Sequence, residues 1–190
     1  MVCHGTVAKR LGLDVAIQAI HQLRNEALDI RLHVIGAGDS LAEARELAAK
    51  LKLNAQITFQ GMVPLEQLPP LLREASVGLV PNLASNATHL MLPVKLLEYA
   101  TLGIPVIAAR LRTIEHYFTD AVRFFEPGNS VDLAQALRDL HDHPARRDEL
   151  AHRAALIGAR LSQTQRQDYW NAVDSLLEME DSPLCNLANR

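Results

Sequence analysis

Lys95 and Glu98 stand three residues apart in LPVKLLEYATLGIPVIAAR, residues Leu92–Arg110, whose pattern predicts a short helix passing through Leu102-Gly103 into a buried strand. Pro93 suits the first turn of that helix, because its fixed φ is already helical and its missing N–H has no partner to lose. The helix therefore begins around Leu92, Pro93 and Val94. Its free N–H groups and the positive end of its dipole favour a phosphate at that point, and Lys95 adds a cation. A carboxylate one turn further in, Glu98, can accept two hydrogen bonds from a diol such as a ribose, contributing about 1.5–3 kcal/mol per charged bond. The same two residues also read as an i, i+3 ion pair on an exposed face.

The elements that must position these groups alternate along the chain. Leu11–Arg24 carries apolar residues at helical spacing, and Ile30–Ile35 follows as an apolar strand ending in Gly36-Ala37-Gly38. Asp39 or Ser40 can cap a helix over Leu41–Leu51. Ile57-Thr58-Phe59 is a short strand closed by Gly61, Leu65–Ala75 a helix interrupted near Pro69-Pro70, and Val77–Val80 a strand stopped by Pro81. Val106–Ala108 and Val122–Phe125 are further strands, followed by helices over Val131–Leu140, Ala145–Leu161 and Gln165–Glu180.

Strands this short and apolar, separated by helices, predict a doubly wound α/β fold: a Rossmann-like parallel sheet with helices on both faces and a helical C-terminal segment. Residues 1–161 form the domain. Residues 162–180 form a helix packing on it through Tyr169, Trp170, Val173, Leu176 and Leu177, and 181–190 are expected to be disordered. Ligands of such sheets bind outside the carboxyl ends of the strands. The turns at Gly5-Thr6, Gly36–Gly38 and Gly61-Met62-Val63, the Pro81–Pro93 loop and the Leu111–Glu115 segment share that rim. Gly-Ala-Gly lacks the third glycine of a dinucleotide fingerprint, and no GxxxxGK[ST] occurs, which disfavours standard NAD and ATP sites.

Composition sets the outer bounds. The 190 residues, 48% hydrophobic and 22% charged, suffice for one well-buried domain. A net charge of −3 offers no basic excess for nucleic acid or an anionic membrane. Cys3 and Cys185 stand at opposite ends without CxxC or CxxH spacing, so neither a disulfide framework nor a zinc site is expected, and a reducing cytoplasm is the natural compartment. No run approaches 18 apolar residues, and no signal-peptide layout opens the chain. Val2-Cys3-His4-Gly5-Thr6 reads as the tail of a strand entering a turn, which raises the expectation that sequence once preceded Met1.

In order, HGTVAKRLGLDVAIQAI, LHVIGAGDS, ITFQGMVPLEQLPPLLREASVGLVP, LPVKLLEYATLGIPVIAA and EPGNSVDLAQALRDL resemble the carboxy-terminal domain of family 4 glycosyltransferases, over roughly residues 2–140. The resemblance implies one of two Rossmann-like halves facing a cleft (the GT-B fold), binding a nucleoside-diphosphate sugar, retaining the anomeric configuration and needing neither metal nor cofactor. It also implies an amino-terminal acceptor domain before Met1, through which alone a membrane would be touched. The isolated chain would then bind its donor and transfer nothing.

The second glutamate of the family's signature pair aligns with Glu98, which would hold the ribose. The first aligns with Leu90, so the carboxylate that would touch the sugar is absent. The arginine that usually follows the first glycine is Thr6 here, and the next usual lysine is Leu11. Arg10 is then the nearest replacement cation, with Lys9 beside it and Lys95 as the second cation. Glu115 matches a glutamate whose preceding glycines are replaced by Leu111 and Arg112. Gly61, Met62 and Val63 match the turn that meets the base, with Gly5, Thr6, Gly36 and Gly38 on the same rim. His89 lies in the loop near the donor. His141 and His143 fall in a solvent-facing turn away from the rim. The departures leave open a non-catalytic nucleotide-sugar-binding module. A nucleotide-sugar epimerase shares the architecture, whereas a receiver-type fold would need acidic residues where His4, Gly5 and Thr6 stand.

Overall fold

Strands buried throughout, such as Gly78–Val80 and Val106–Ala109, must be covered on both faces, and the chain sets them at the centre of a single parallel sheet whose edge strand Ile57–Gly61 alternates buried or half-buried residues with exposed ones. The computed structural model describes residues 1–24, 26 and 28–180; the side chains of 164–180 fall outside that description. In chain order the elements are β1 (Val2–His4), α1 (Leu13–Leu23), β2 (Leu32–Ile35), α2 (Leu41–Lys50), β3 (Ile57–Gly61), α3 (Leu68–Arg73) and β4 (Gly78–Val80). There follow α4 (Asn86–Leu90), α5 (Val94–Thr101), β5 (Val106–Ala109), α6 (Arg112–Phe118), β6 (Arg123–Phe125), α7 (Ser130–Asp142) and α8 (Pro144–Glu180). Single 3-10 turns at Lys9–Leu11 and Leu65–Gln67 precede α1 and α3.

All six strands pair in parallel in the order β3-β2-β1-β4-β5-β6, a Rossmann-like α/β fold. Val2, Cys3 and His4 of β1 lie opposite His33, Val34 and Ile35 of β2, and Val2 lies opposite Gly78 of β4. The order reverses between β1 and β4, and the turns after these two strands face the crevice there. Helix α1 packs against α7 and α2, while α5 packs against α8. Ile17, Ile20, Leu79, Ile107, Phe118 and Phe125 are among the large side chains fully buried between these layers.

Several boundaries differ from the sequence reading, each for a local reason. Pro69 and Pro70 do not interrupt α3; both fall in its first turn, where no N–H is needed. Ser40 precedes α2 but does not cap it with its side chain, its hydroxyl donating instead to Asp39 at 3.4 Å. Pro93 stands one position before the first helical residue of α5, with ψ 127°. The Pro81–Pro93 loop contains α4, held by a reciprocal capping box in which the Ser85 hydroxyl accepts from the Thr88 N–H and the Thr88 hydroxyl accepts from the Ser85 N–H. Leu111–Glu115 leads into α6. The two helices expected after residue 144 are one continuous helix, because Ser162 and Thr164 lower helix propensity only modestly, Gln163 is a good helix former, and no glycine or proline breaks the backbone ladder between them. The apolar stripe from Tyr169 to Leu177 and the tail beyond Glu180 lie outside the described side chains and residues. No helix among the described residues is long and apolar enough to cross a membrane.

Candidate functional site

The chain brings the turns after β1, β2 and β3 together by close backbone approach. Gly36, with φ 145°, has space for no side chain: a Cβ there would fall 1.9 Å from the Gly5 carbonyl oxygen. The Gly36 N–H donates to the Gly61 carbonyl at 2.7 Å, and the Val7 N–H to the Ala37 carbonyl at 2.9 Å. Between these turns lies a cavity of about 290 Å³ lined by Gly5, Thr6, Gly36, Ala37, Met62 and Val63, with His4, Ile35 and Leu68 completing its wall. Five of the rim residues singled out by sequence thus share one cavity. Gly38 lies against the Val7 carbonyl and Gly61 beneath the Gly36 amide, so both shape the rim without lining the cavity.

Glu98 reaches the same region from the opposite side of the switch point. Its Oε2 accepts a hydrogen bond of 2.7 Å from His4 Nε2, whereas His4 Nδ1 lies 2.9 Å from the Tyr99 hydroxyl. A neutral imidazole has one N–H and a carboxylate can only accept, so the Tyr99 hydroxyl donates to Nδ1 and Nε2–H donates to Glu98. Burial lowers the His4 pKa below its ordinary 6.5, outweighing the hydrogen bond and charge of Glu98, which favour the proton. Burial likewise raises the Tyr99 hydroxyl well above its ordinary value and keeps it a donor. The Tyr99 oxygen also accepts from the His4 backbone N–H at 3.3 Å, and its ring meets the imidazole edge-on with centroids 5.0 Å apart. Glu98 Oε1 carries no partner among the described residues. His4 side-chain exposure is 5% and that of Glu98 is 37%, so a buried base holds a carboxylate that faces outward.

Glu98 also lines a second, larger groove of about 360 Å³, walled by Leu65, Leu68, Pro69, Leu97 and Leu161. Leu68 borders both hollows, and the His4–Glu98 bond spans them. The Lys95–Glu98 ion pair allowed by the i, i+3 spacing is absent among the described residues, because Glu98 is bonded to His4 instead. Lys95 stands in the first turn of α5, half-buried, and Val94 before it is 68% exposed. Arg10 is exposed beside the chain leaving β4, its carbonyl accepting from the Leu83 N–H at 2.9 Å. Neither Arg10 nor Lys95 enters a salt bridge among the described residues.

Other candidates have local partners. Glu115 is engaged by Arg110 at 2.5 Å, and Arg110 lies over the Phe124 ring. The His89 Nδ1 accepts from the Arg112 N–H at 3.3 Å and the His89 carbonyl accepts from the Thr113 hydroxyl at 2.7 Å, so His89 ties α4 to α6. His141 and His143 lean on Asp142 and Asp139 at the end of α7, half-exposed and exposed respectively. Leu90, where a first glutamate would stand, is 80% exposed at the end of α4. Sequence reasoning missed His4 and Tyr99; the available signal was a histidine ending an apolar strand and a tyrosine beside Glu98.

A family model described as "Glycosyl transferases group 1" matches residues 1–143. The chain belongs to the glycosyl transferases group 1 family. Among curated relatives of this glycosyltransferase domain, the putative colanic acid biosynthesis glycosyltransferase WcaL of Salmonella typhimurium is 28% identical over 109 residues, covering 57% of this chain and 27% of its own length. The GDP-mannose-dependent alpha-(1-6)-phosphatidylinositol monomannoside mannosyltransferase of Mycolicibacterium smegmatis is 30% identical over 112 residues, covering 58% of this chain and 29% of its own length. The matched segment thus spans less than a third of either relative. Anabaena HepE, solved with UDP and glucose, superposes with a TM-score of 0.78 at 18% identity, over 92% of this chain and 48% of HepE. The catalytic domain of the Helicobacter pylori cholesterol-alpha-glucosyltransferase superposes with a TM-score of 0.72 at 20% identity, over 85% of this chain and 98% of that one. Both share the GT-B type of fold.

Proposed function

We propose that this domain binds the nucleoside diphosphate of a sugar donor at the β1/β4 switch point, as the donor half of a retaining, metal-independent glycosyltransferase acting in glycan or polysaccharide synthesis. The observation that carries the reading is Glu98: an outward carboxylate held from behind by a buried histidine, one turn inside a helix whose start carries Lys95. A ribose diol suits the free oxygen, a diphosphate suits the first turn of α5 with Arg10 and Lys95, and a base suits the cavity edged by Met62 and Val63. That HepE was solved with UDP and glucose supports the ligand class.

Breaking a sugar–diphosphate bond builds negative charge on the leaving phosphate, and preorganised cations and helix N–H groups stabilise that charge without reorganising. Arg10 and Lys95 are assigned this work. The acceptor attacks from the face the diphosphate leaves, the departing phosphate taking its proton, so no nucleophilic carboxylate is required of this chain. The acceptor site belongs to an amino-terminal partner half, and the isolated chain binds donor without turnover. A non-catalytic module is the second reading, favoured by the exposed Leu90 and by Thr6 and Leu11 in place of the cations the family resemblance calls for.

The test is a thermal-shift and calorimetric titration with UDP-, GDP- and ADP-sugars on the chain and on Glu98→Ala. One donor is expected to stabilise the domain, and Glu98→Ala to remove most of that shift. A specific shift that survives the substitution would take Glu98 out of the site, and binding of none would end the donor reading. Sugar transfer by the chain alone would refute the two-half account.

A further inference from the structure

The geometry points to His4 as a positioning residue for ribose recognition: its Nε2–H anchors one oxygen of Glu98 so that the other meets a vicinal diol, with Tyr99 setting the histidine tautomer. This rests on the proposed donor site and deepens it. A glutamate on the solvent-facing side of a helix ordinarily samples several rotamers, and ordering it on binding costs affinity. Here the ordering precedes any ligand. The 2.7 Å bond from Nε2 fixes Oε2, the 2.9 Å contact from the Tyr99 hydroxyl fixes which nitrogen carries the proton, and the Tyr99 ring is itself clamped. The clamp is Gly78: a Cβ there would lie 2.5 Å from Tyr99 Cδ2. His4 borders the cavity edged by Met62 and Val63, and Glu98 the adjoining groove, so the pair stands where a nucleoside bridging the two would place its sugar ring. A histidine serving only the core has no need of an outward carboxylate as its partner.

The experiment compares ribose with deoxyribose ligands, because packing defects lower affinity for both alike. UDP, GDP and ADP are titrated by calorimetry, followed by the 2′-deoxy and 3′-deoxy counterparts of whichever binds, on the full chain and on His4→Phe, His4→Gln, Glu98→Gln and the His4→Phe/Glu98→Gln double variant. The wild-type chain is expected to prefer the ribonucleotide. His4→Phe and Glu98→Gln should each cut that preference about tenfold, and the double variant no further, since the two act as one unit. His4→Gln, whose amide nitrogen can donate toward the same carboxylate, should keep most of it. An intact preference in His4→Phe, with both ligands weakened equally, would assign His4 to packing and overturn the inference. A wild-type chain that binds nucleotides without preferring ribose would overturn it too. One that binds none would overturn the donor reading and this inference together. Because His4→Phe can fail to fold, nitrogen-15 NMR of the wild-type imidazole is the second measurement: an Nε2–H tautomer whose resonance moves with the ribonucleotide and less with its deoxy counterpart supports the role, and an Nδ1–H tautomer, or a resonance equally indifferent to both, refutes it.

Discussion

Replacing Tyr99 by Phe removes one oxygen atom and leaves the ring, so it isolates the hydroxyl from the packing. That oxygen donates to His4 Nδ1 at 2.9 Å, accepts from the His4 N–H at 3.3 Å, and has the Val2 carbonyl 3.3 Å away as an alternative acceptor. The 3.3 Å contacts are long and contribute little; the Nδ1 bond is the well-formed one. Its loss costs about 0.5–1.5 kcal/mol net, rising to about 1–3 because the buried nitrogen is left without a donor. For a domain of this size each kcal/mol moves the melting temperature by about 2–4 °C, so Tyr99→Phe should melt about 2–12 °C lower. Urea unfolding monitored by circular dichroism gives the free energy directly, and the slope of the transition should be unchanged because the exposed surface is the same. A melting temperature within about 1 °C of wild type would refute the assignment of the proton between Tyr99 and His4, and with it the derived tautomer.

Gly78→Ala attacks the same residue from below: its Cβ must displace the Tyr99 ring, and overpacking of this kind costs about 1–3 kcal/mol, measured as a lower urea midpoint. Arg10→Ala and Lys95→Ala should each weaken a nucleoside diphosphate about tenfold while leaving the bare nucleoside almost unchanged, the low end for charged bonds because Arg10 is exposed. Calorimetry of the two ligands separates those outcomes. Because the folded pKa of His4 is depressed below 6.5, the unfolded chain takes the proton first as pH falls. The stability His4 contributes is therefore full above pH 6.5 and lost as pH drops through its lower folded value. Glu98, Tyr99 and Lys95 are the groups that face it. The gap in urea midpoint between wild type and His4→Gln should shift against wild type from pH 7 to 5; a constant gap would contradict the sign.

The sheet was legible because its strands are short, continuous apolar runs such as LHVI and VIAA, and because proline and glycine mark their ends. Helix α5 and Glu98 were legible through Pro93 and the spacing to Lys95. Helices α4 and α6, five and seven residues long, were not, since neither completes enough turns to show a period. The continuity of α8 across residues 162–164 was not legible from the two stretches that flank it, although only glycine or proline lowers helix propensity strongly enough to impose a break. His4 was the largest omission. Its partner lies 94 residues away, and no local pattern encodes which carboxylate a strand-end histidine will meet.

That separation also shapes how the domain assembles. β1 sits mid-sheet, with β2 following closely in sequence and β4 arriving some 75 positions later, while the tyrosine that fastens His4 comes 95 residues after it. During synthesis the second flank of β1 stays open until that distant stretch has emerged, and loop closure of this length makes the docking slow. The carboxylate at residue 98 acquires its fixed orientation only when this closure is complete, so a ligand that needs that orientation binds a finished sheet and no earlier species, and its protection against hydrogen exchange should extend across the central strands as one cooperative unit.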